Sequence, residues 1–383
     1  MEPAAATRKG KTRRMTQKLT DNEQITTIVY GDTFALYSDD EFEEFIGFLR
    51  TRFERNGIPL SVFEGKRCLD AGCGGGRATI LMAEAGASEV VALDLSETNV
   101  ETTRMRAEQR GLNHVTAQQA SLMEVPFEDE TFDVVWSNGV LHHTGDTDGS
   151  LKEIARLLKP GGWMWLYLYG SGGIYWHMVD WVRDTLRAGG IHVSECIAQL
   201  RLQNVPVRRI AEWIDDWFVP VLQRYKVEDV RLRLEELGFE GVQALERGTH
   251  YDTSERRVGA SQEEIELMGD GDLRFWAQKT ARPSGSDDAR LPDAPDGKGS
   301  LWTDGPAVTQ IDPSLDRVRG ALEQLEQARG SEPGAYRIMV CGLVHSHVRT
   351  LLETPGPFDA AALEGRLSEI ASLCEAFAAL GAR

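Results

Sequence analysis

The chain lacks any apolar run approaching the ~18 residues that crossing a bilayer requires, and it lacks a hydrophobic signal-peptide core. Both absences lead to the expectation of a cytoplasmic protein with no membrane partner. Positive charge is also scarce: 42 Lys and Arg stand against 60 Asp and Glu, a formal net charge of −18. Phosphate backbones are bound by clustered basic residues, so no nucleic-acid partner is expected. The one basic stretch, Arg8 to Arg14, lies in a polar segment without apolar periodicity, and residues 1–24 read as a disordered basic tail. Cysteines are few. The five (Cys68, Cys73, Cys196, Cys341, Cys374) are scattered and form no C-x-x-C pair, which argues against a disulfide framework and against a metal site.

Glycine, by contrast, is concentrated where it carries information. Asp70-Ala71-Gly72-Cys73-Gly74-Gly75-Gly76 follows a short apolar stretch and precedes a helix-like one, and Asp94 ends the next apolar run. Glycines allow positive φ and close backbone approach, so a strand can turn sharply into a helix with room for a ligand above the loop. An acid after the second strand can hold both ribose hydroxyls. Dinucleotide sites use G-x-G-x-x-G, whereas here the spacing is D-x-G-x-G-x-G, with an acid opening the turn and no basic residue before Arg77. Such a loop repels pyrophosphate and suits a ligand bearing an ammonium group, as S-adenosylmethionine does.

On these residues the chain resembles the class I S-adenosylmethionine-dependent methyltransferases. Further blocks follow in that family's order: Val90-Val91-Ala92-Leu93-Asp94-Leu95-Ser96, Val125-Pro126-Phe127, Phe132 through Asn138, and Leu157-Leu158-Lys159-Pro160-Gly161-Gly162. The resemblance is strong over about residues 60–170 and weak to about 280. It implies that Asp70, Gly72, Gly74 and Gly76 shape the methionine end of the cofactor site, that Asp94 binds ribose and that Leu95 packs on adenine. Many relatives carry an acid where this chain has Ser121, so Ser121 and Leu122 are the expected adenine contacts, and Asn138 completes the cofactor set.

Strand and helix patterns alternate: strands at Arg67–Ala71, Glu89–Asp94, near Val115, Phe132–Ser137 and Trp163–Tyr169, with helices at Arg77–Ala85, Ser96–Arg110 and about Gly149–Leu158. A further helix precedes them over residues 40–58. This is the pattern of a doubly wound α/β fold, a mainly parallel Rossmann-like sheet with ligands at the carboxyl ends of its strands. The family resemblance extends it to seven strands, adding Val242–Glu246 and Leu273–Lys279 as an antiparallel pair after a helix at Val227–Leu237. The methyltransferase domain is expected over 25–281, with a helical insertion or lid at about 173–225. A linker at 282–300 and a C-terminal accessory module at 301–383 follow, the module holding helices near 315–328 and 360–380 and an apolar run at 338–344.

Methyl transfer needs alignment of the acceptor, exclusion of water and, for some acceptors, removal of a proton. The loop after the fourth strand carries His142 and His143, whose ordinary pKa near 6.5 suits a general base; bracing the loop is the alternative. Tyr169 ends the fifth strand at the same edge, and Gly170-Ser171-Gly172-Gly173 reads as a lid hinge. Tyr30 and Tyr37 ahead of the sheet, Trp176, His177 and Tyr225 in the insertion, and His250 beyond it are the candidate acceptor contacts. Asp180, Asp215 and Asp216 are candidates to orient an amine, although a solvated helix face explains them more simply. The expected activity is methylation of an oxygen or nitrogen of a small or medium-sized metabolite, in specialised metabolism. A peptide or carrier-bound acceptor, and a non-catalytic cofactor-binding protein, are the alternatives. The C-terminal helices either pack on the catalytic domain or mediate a homodimer.

Overall fold

The computed structural model describes residues 19–34, 37–246, 269–280 and 334–353, with the shorter stretches 291, 317, 320, 365, 368–372 and 375–376. Seven strands form one sheet in the order β3-β2-β1-β4-β5-β7-β6. They are β1 (Arg67–Ala71), β2 (Glu89–Asp94), β3 (Val115–Gln119), β4 (Phe132–Asn138), β5 (Leu158–Tyr169), β6 (Phe239–Ala244) and β7 (Asp272–Lys279). The first five pair in parallel, and β7 runs antiparallel to both β5 and β6. Helices α1 (Asp21–Phe34), α2 (Asp39–Arg55), α3 (Arg77–Glu84), α4 (Glu97–Gln109), α5 (Thr147–Arg156) and α9 (Val227–Glu236) accompany the sheet. The insertion after β5 is α6 (Gly173–Ala188), α7 (Val193–Leu202) and α8 (Val207–Phe218), and α10 (Gly334–Glu353) follows in the C-terminal part.

Alternation along the strands builds two cores. Leu69, Val91, Val135, Leu166 and Phe275 face Leu151 and Ile154 of α5 and Leu234 of α9. Cys68, Val90, Val134, Trp136 and Trp165 face Phe42, Ile46, Leu49 and Phe53 of α2 and Leu81 of α3. In the second core the rings of Trp136 and Trp165 stack with centroids 4.3 Å apart, and Phe53 lies parallel to Trp165 at 5.3 Å. Helix α2 is set by a capping box in which Ser38 and Glu41 satisfy each other's backbone N–H groups. The buried Arg233 guanidinium of α9 pairs with Asp148 of α5 at 2.7 Å and 3.1 Å, fixing the two helices to each other.

Several boundaries differ from expectation. Helix α5 starts at Thr147, because the Asp146 carboxylate accepts from the Gly149 N–H at 2.9 Å. Strand β5 resumes pairing at Leu158, and Lys159 to Gly162 bulge between the pairs Phe132–Leu158 and Val134–Trp163, held by Lys159 Nζ on Asp133 at 3.0 Å. Strand β6 begins at Phe239 rather than Val242. Helix α1 has no counterpart among the expected elements and begins at Asp21, inside the stretch read as a disordered tail, whose first 18 residues lie outside the described ones. Its apolar residues follow no helical period because it is sandwiched: Val29 enters the insertion's core while Ile25 and Ile28 are exposed.

The glycine run after β5 is packed on both sides by backbone. Gly170 N–H donates to Gly271 at 2.6 Å, Ser171 N–H donates to Tyr225 at 2.8 Å, and a Cβ on Gly170 would lie 2.1 Å from the Gly271 oxygen. Close approach, rather than hinge freedom, is what the glycine there provides. The apolar run at 338–344 is helical and lies within α10, whose Ile338 and Cys341 join Val182, Cys196, Leu200 and Trp213 in the core of the insertion. The expected linker lies outside the described residues except for Leu291, and the expected helix at 315–328 does so except for Arg317 and Gly320.

Candidate active site

At the carboxyl ends of β1, β2, β4 and β5 the structure encloses a cavity of about 620 Å³, roofed by α1 and the insertion. Its volume is within the range of small-molecule sites, about 300–1,000 Å³. One end is made by the glycine loop. Gly72, Gly74 and Gly76 all have positive φ (86°, 50° and 87°), and each is closely packed. Added Cβ atoms would lie 2.4 Å from Val140, 2.7 Å from the Phe34 ring and 2.9 Å from Thr103.

Asp94 closes β2 and ties this end together. Its carboxylate accepts from Gly74 N–H at 2.8 Å, Ser96 N–H at 2.8 Å and Asn99 Nδ2 at 3.2 Å. Burial raises its pKa, against the pull of those donors. Asp70 is buried beneath the loop, accepts from Thr79 Oγ1 at 2.6 Å and is pushed by burial up to about 7. Leu95, Ala120, Leu122 and Met123 supply an apolar wall beside Asp94, with Ser121 on the same wall. The Ser121 hydroxyl accepts from Met123 N–H at 3.2 Å. Asn138 lines the cavity while its Oδ1 accepts from Trp165 Nε1 at 2.9 Å.

The other end is polar and aromatic. His143 Nδ1 lies 2.9 Å from the Val221 carbonyl oxygen. A carbonyl only accepts, so Nδ1 carries the hydrogen and Nε2 presents its lone pair. That Nε2 has no hydrogen-bond partner among the described residues, and Asp215 Oδ1 stands 3.8 Å away. Burial lowers the pKa of His143, and Asp215 opposes the shift. Asp215 itself, on α8, accepts from Tyr30 Oη at 2.5 Å and from Tyr169 Oη at 2.9 Å. Burial, then Asp215, holds both phenols well above their usual range. Beside it Tyr175 Oη donates to Asp216 at 2.5 Å, and the Arg224 guanidinium covers the Trp176 ring at 4.5 Å.

The expected residues divide accordingly. All nine cofactor candidates except Gly76 line the cavity, and Gly76 caps α3 just behind it. His143, Tyr169, Tyr30, Tyr37 and Trp176 line it too. His142 does not: it is fully buried between His143 and Tyr169, ring centroids 4.0 Å from each, and burial drives its pKa well down. Tyr225 is also off the cavity, pairing its backbone with Tyr169 and Ser171 where the chain leaves the insertion. The side chain of His177, and His250 altogether, lie outside the described residues.

Asp180, Asp215 and Asp216 are not a solvated face. Asp180 is paired with Arg224 at 2.5 Å and 2.9 Å, Asp216 is buried and Asp215 lines the cavity. Ala211, Glu212, Asp215 and Asp216 form one stripe of α8, and that stripe is turned inward. Amphipathic spacing cannot distinguish a face turned to solvent from one turned to a ligand cavity. Phe34, Phe45, Asp272 and Arg274 were also not anticipated; Arg274 reaches the site because β7 sets it opposite Tyr167, with its guanidinium 4.2 Å over that ring.

Residues 69–166 match the profile of a family described as a methyltransferase domain. This part of the chain is a class I S-adenosylmethionine-dependent methyltransferase domain. The chain is 40% identical over 106 residues to 27-O-demethylrifamycin SV methyltransferase of Amycolatopsis mediterranei, covering 27% of this chain and 38% of that protein. It is 39% identical over 116 residues to the ubiquinone biosynthesis O-methyltransferase of Caulobacter vibrioides (30% and 45%). To the sarcosine/dimethylglycine N-methyltransferase of Halorhodospira halochloris it is 30% identical over 146 residues (37% and 52%). The chain thus spans about half or less of the length of these relatives.

The residues of this methyltransferase site fit S-adenosylmethionine. Asp94 at the end of β2 would meet the ribose diol, the apolar side chains beside it would take adenine, and the buried Asp70, raised to about 7, would meet the cationic amino group. Among the described residues no group of three or more His, Cys, Asp or Glu is placed to hold a metal ion, and no helix is long and apolar enough to cross a membrane.

Proposed function

We propose that this methyltransferase methylates an oxygen or nitrogen of a small metabolite, with His143 as the general base. The observation that carries the reading is that Asp94 and His143 line one cavity, with His143 Nε2 lacking a hydrogen-bond partner among the described residues. Bound S-adenosylmethionine supplies an electrophilic methyl group on a sulfonium.

The chain's own residues do the rest. Asp94, Leu95, Ser121 and Leu122 hold the adenosine part, and Asp70 meets the amino group. His143 Nε2 takes the proton from the acceptor hydroxyl or amine, and the Val221 carbonyl keeps Nδ1–H in place. Asp215 stabilises the resulting imidazolium and is itself oriented by Tyr30 and Tyr169. Rings of Tyr30, Tyr169 and Trp176 exclude water and favour a planar acceptor. Relatives named as O- and N-methyltransferases support an acceptor atom of either kind.

The test is a screen of phenols, alcohols and amines with methyl-labelled S-adenosylmethionine, scored by S-adenosylhomocysteine release. Acceptor-dependent release that His143→Ala abolishes supports the reading. Tight cofactor binding without turnover on any acceptor supports a cofactor-binding protein instead.

A further inference from the structure

Arg77, the first residue of α3, lines the cavity with its guanidinium carbon 5.2 Å from the Phe34 ring centroid, 5.9 Å from Tyr37 and 4.9 Å from Phe45. Ring faces attract a cation without neutralising it. Among the described residues no carboxylate hydrogen-bonds or ion-pairs with this guanidinium. The titratable groups that influence it are the Tyr37 phenol, Arg52 on α2, which repels it, and two acids that already accept other hydrogen bonds. Asp70 is held by Thr79, and Asp215 by Tyr30 and Tyr169. A partly desolvated cation with no counter-charge is costly to the fold, and burial lowers its pKa accordingly. A ligand anion removes that cost.

We infer that Arg77, within the wall of Phe34, Tyr37 and Phe45, is a carboxylate-binding subsite of the cavity. The planar guanidinium fork matches a carboxylate in two parallel hydrogen bonds, and the rings hold the fork flat. Two groups present that chemistry: the α-carboxylate of the cofactor's methionyl part and a carboxylate on the acceptor. Both sources rest on the methyl-transfer reading, whereas carboxylate binding by Arg77 itself does not.

Calorimetry on the full chain separates them. The probes are S-adenosylhomocysteine, 5′-methylthioadenosine, which keeps the adenosyl thioether but lacks the amino-acid part, and benzoate with benzamide as its neutral counterpart. If the cofactor is the source, Arg77→Met weakens S-adenosylhomocysteine about 10- to 100-fold and leaves 5′-methylthioadenosine unchanged. If the acceptor is the source, the substitution abolishes benzoate binding and leaves S-adenosylhomocysteine unchanged. Arg77→Lys, which keeps the charge but loses the fork, retains only part of the affinity in either case. The inference is overturned if Arg77→Met binds S-adenosylhomocysteine and benzoate as the parent does, or weakens S-adenosylhomocysteine and 5′-methylthioadenosine equally. A parent protein that binds neither adenosyl ligand contradicts the methyl-transfer reading instead, and the benzoate comparison then decides the subsite by itself.

Discussion

Asp215 and His143 face each other across the acceptor end of the cavity, Oδ1 to Nε2 at 3.8 Å, with no described hydrogen bond between them. The gap follows from how each is held. The Val221 carbonyl takes the hydrogen of Nδ1, so a neutral His143 has only a lone pair to offer the carboxylate. Two phenols from separate parts of the chain donate to Asp215 and keep it aimed. The pair is arranged to become strong only after His143 has taken a proton.

Removing either partner should therefore affect turnover more than cofactor binding. With an acceptor in hand, His143→Ala should lower kcat by about 10²- to 10⁴-fold, the usual weight of a general base. Asp215→Asn should lower it by roughly 10- to 100-fold, since one tyrosine hydroxyl keeps an acceptor while the imidazolium loses its counter-charge. Calorimetry with S-adenosylhomocysteine should give the same affinity for both variants and the parent.

The pH profile carries a sign. The base works neutral, and burial lowers the pKa of His143 below its ordinary value, so the acid limb of kcat/KM should fall below pH ~6.5. Asp215 raises that pKa, so Asp215→Asn should move the limb to still lower pH. A limb displaced to higher pH in this variant would assign the titration to another group.

Asp70 places stability and binding in opposition. Its carboxyl is raised from 3.8 to about 7 by burial, so between these values the folded protein binds more protons than the unfolded chain. Stability from this group is present below pH ~4 and is lost as pH rises toward 7. Asp70→Asn keeps an acceptor for Thr79 and removes the buried charge. It should raise the Tm of the ligand-free protein by roughly 2–4 °C at pH 8, with the gain vanishing near pH 4, while weakening S-adenosylmethionine.

Gly74 and Phe34 couple α1 to the cofactor loop. Gly74→Ala forces a positive φ on a residue with a Cβ and sets that atom 2.7 Å from the ring. It should cost about 1–3 kcal/mol in chemical denaturation. Adding Phe34→Ala should recover the steric part of the loss, so the double-mutant cycle should be non-additive.

What could be read from the chain alone was what is local in it. Asp70, the glycines and Asp94 occur within 25 residues, and the strand-turn-helix rule converts that spacing directly into geometry. The place of Tyr169 at the end of the fifth strand was legible for the same reason, and Tyr169 lines the cavity. Asp215 was not legible. Its Tyr30 partner is 185 residues away, and its helix shows the pattern of any surface helix. The packing of α10 on the insertion, with Ile338 and Cys341 against Cys196 and Trp213, likewise had no local signal.

The central claim is that Asp94 and the glycine loop hold S-adenosylmethionine at one end of this cavity. Titration calorimetry of the parent and Asp94→Ala with S-adenosylmethionine, using NAD as competitor, tests it most directly. Micromolar binding by the parent that the substitution abolishes and NAD does not displace is the predicted result; no binding, or binding of NAD in its place, would contradict the account.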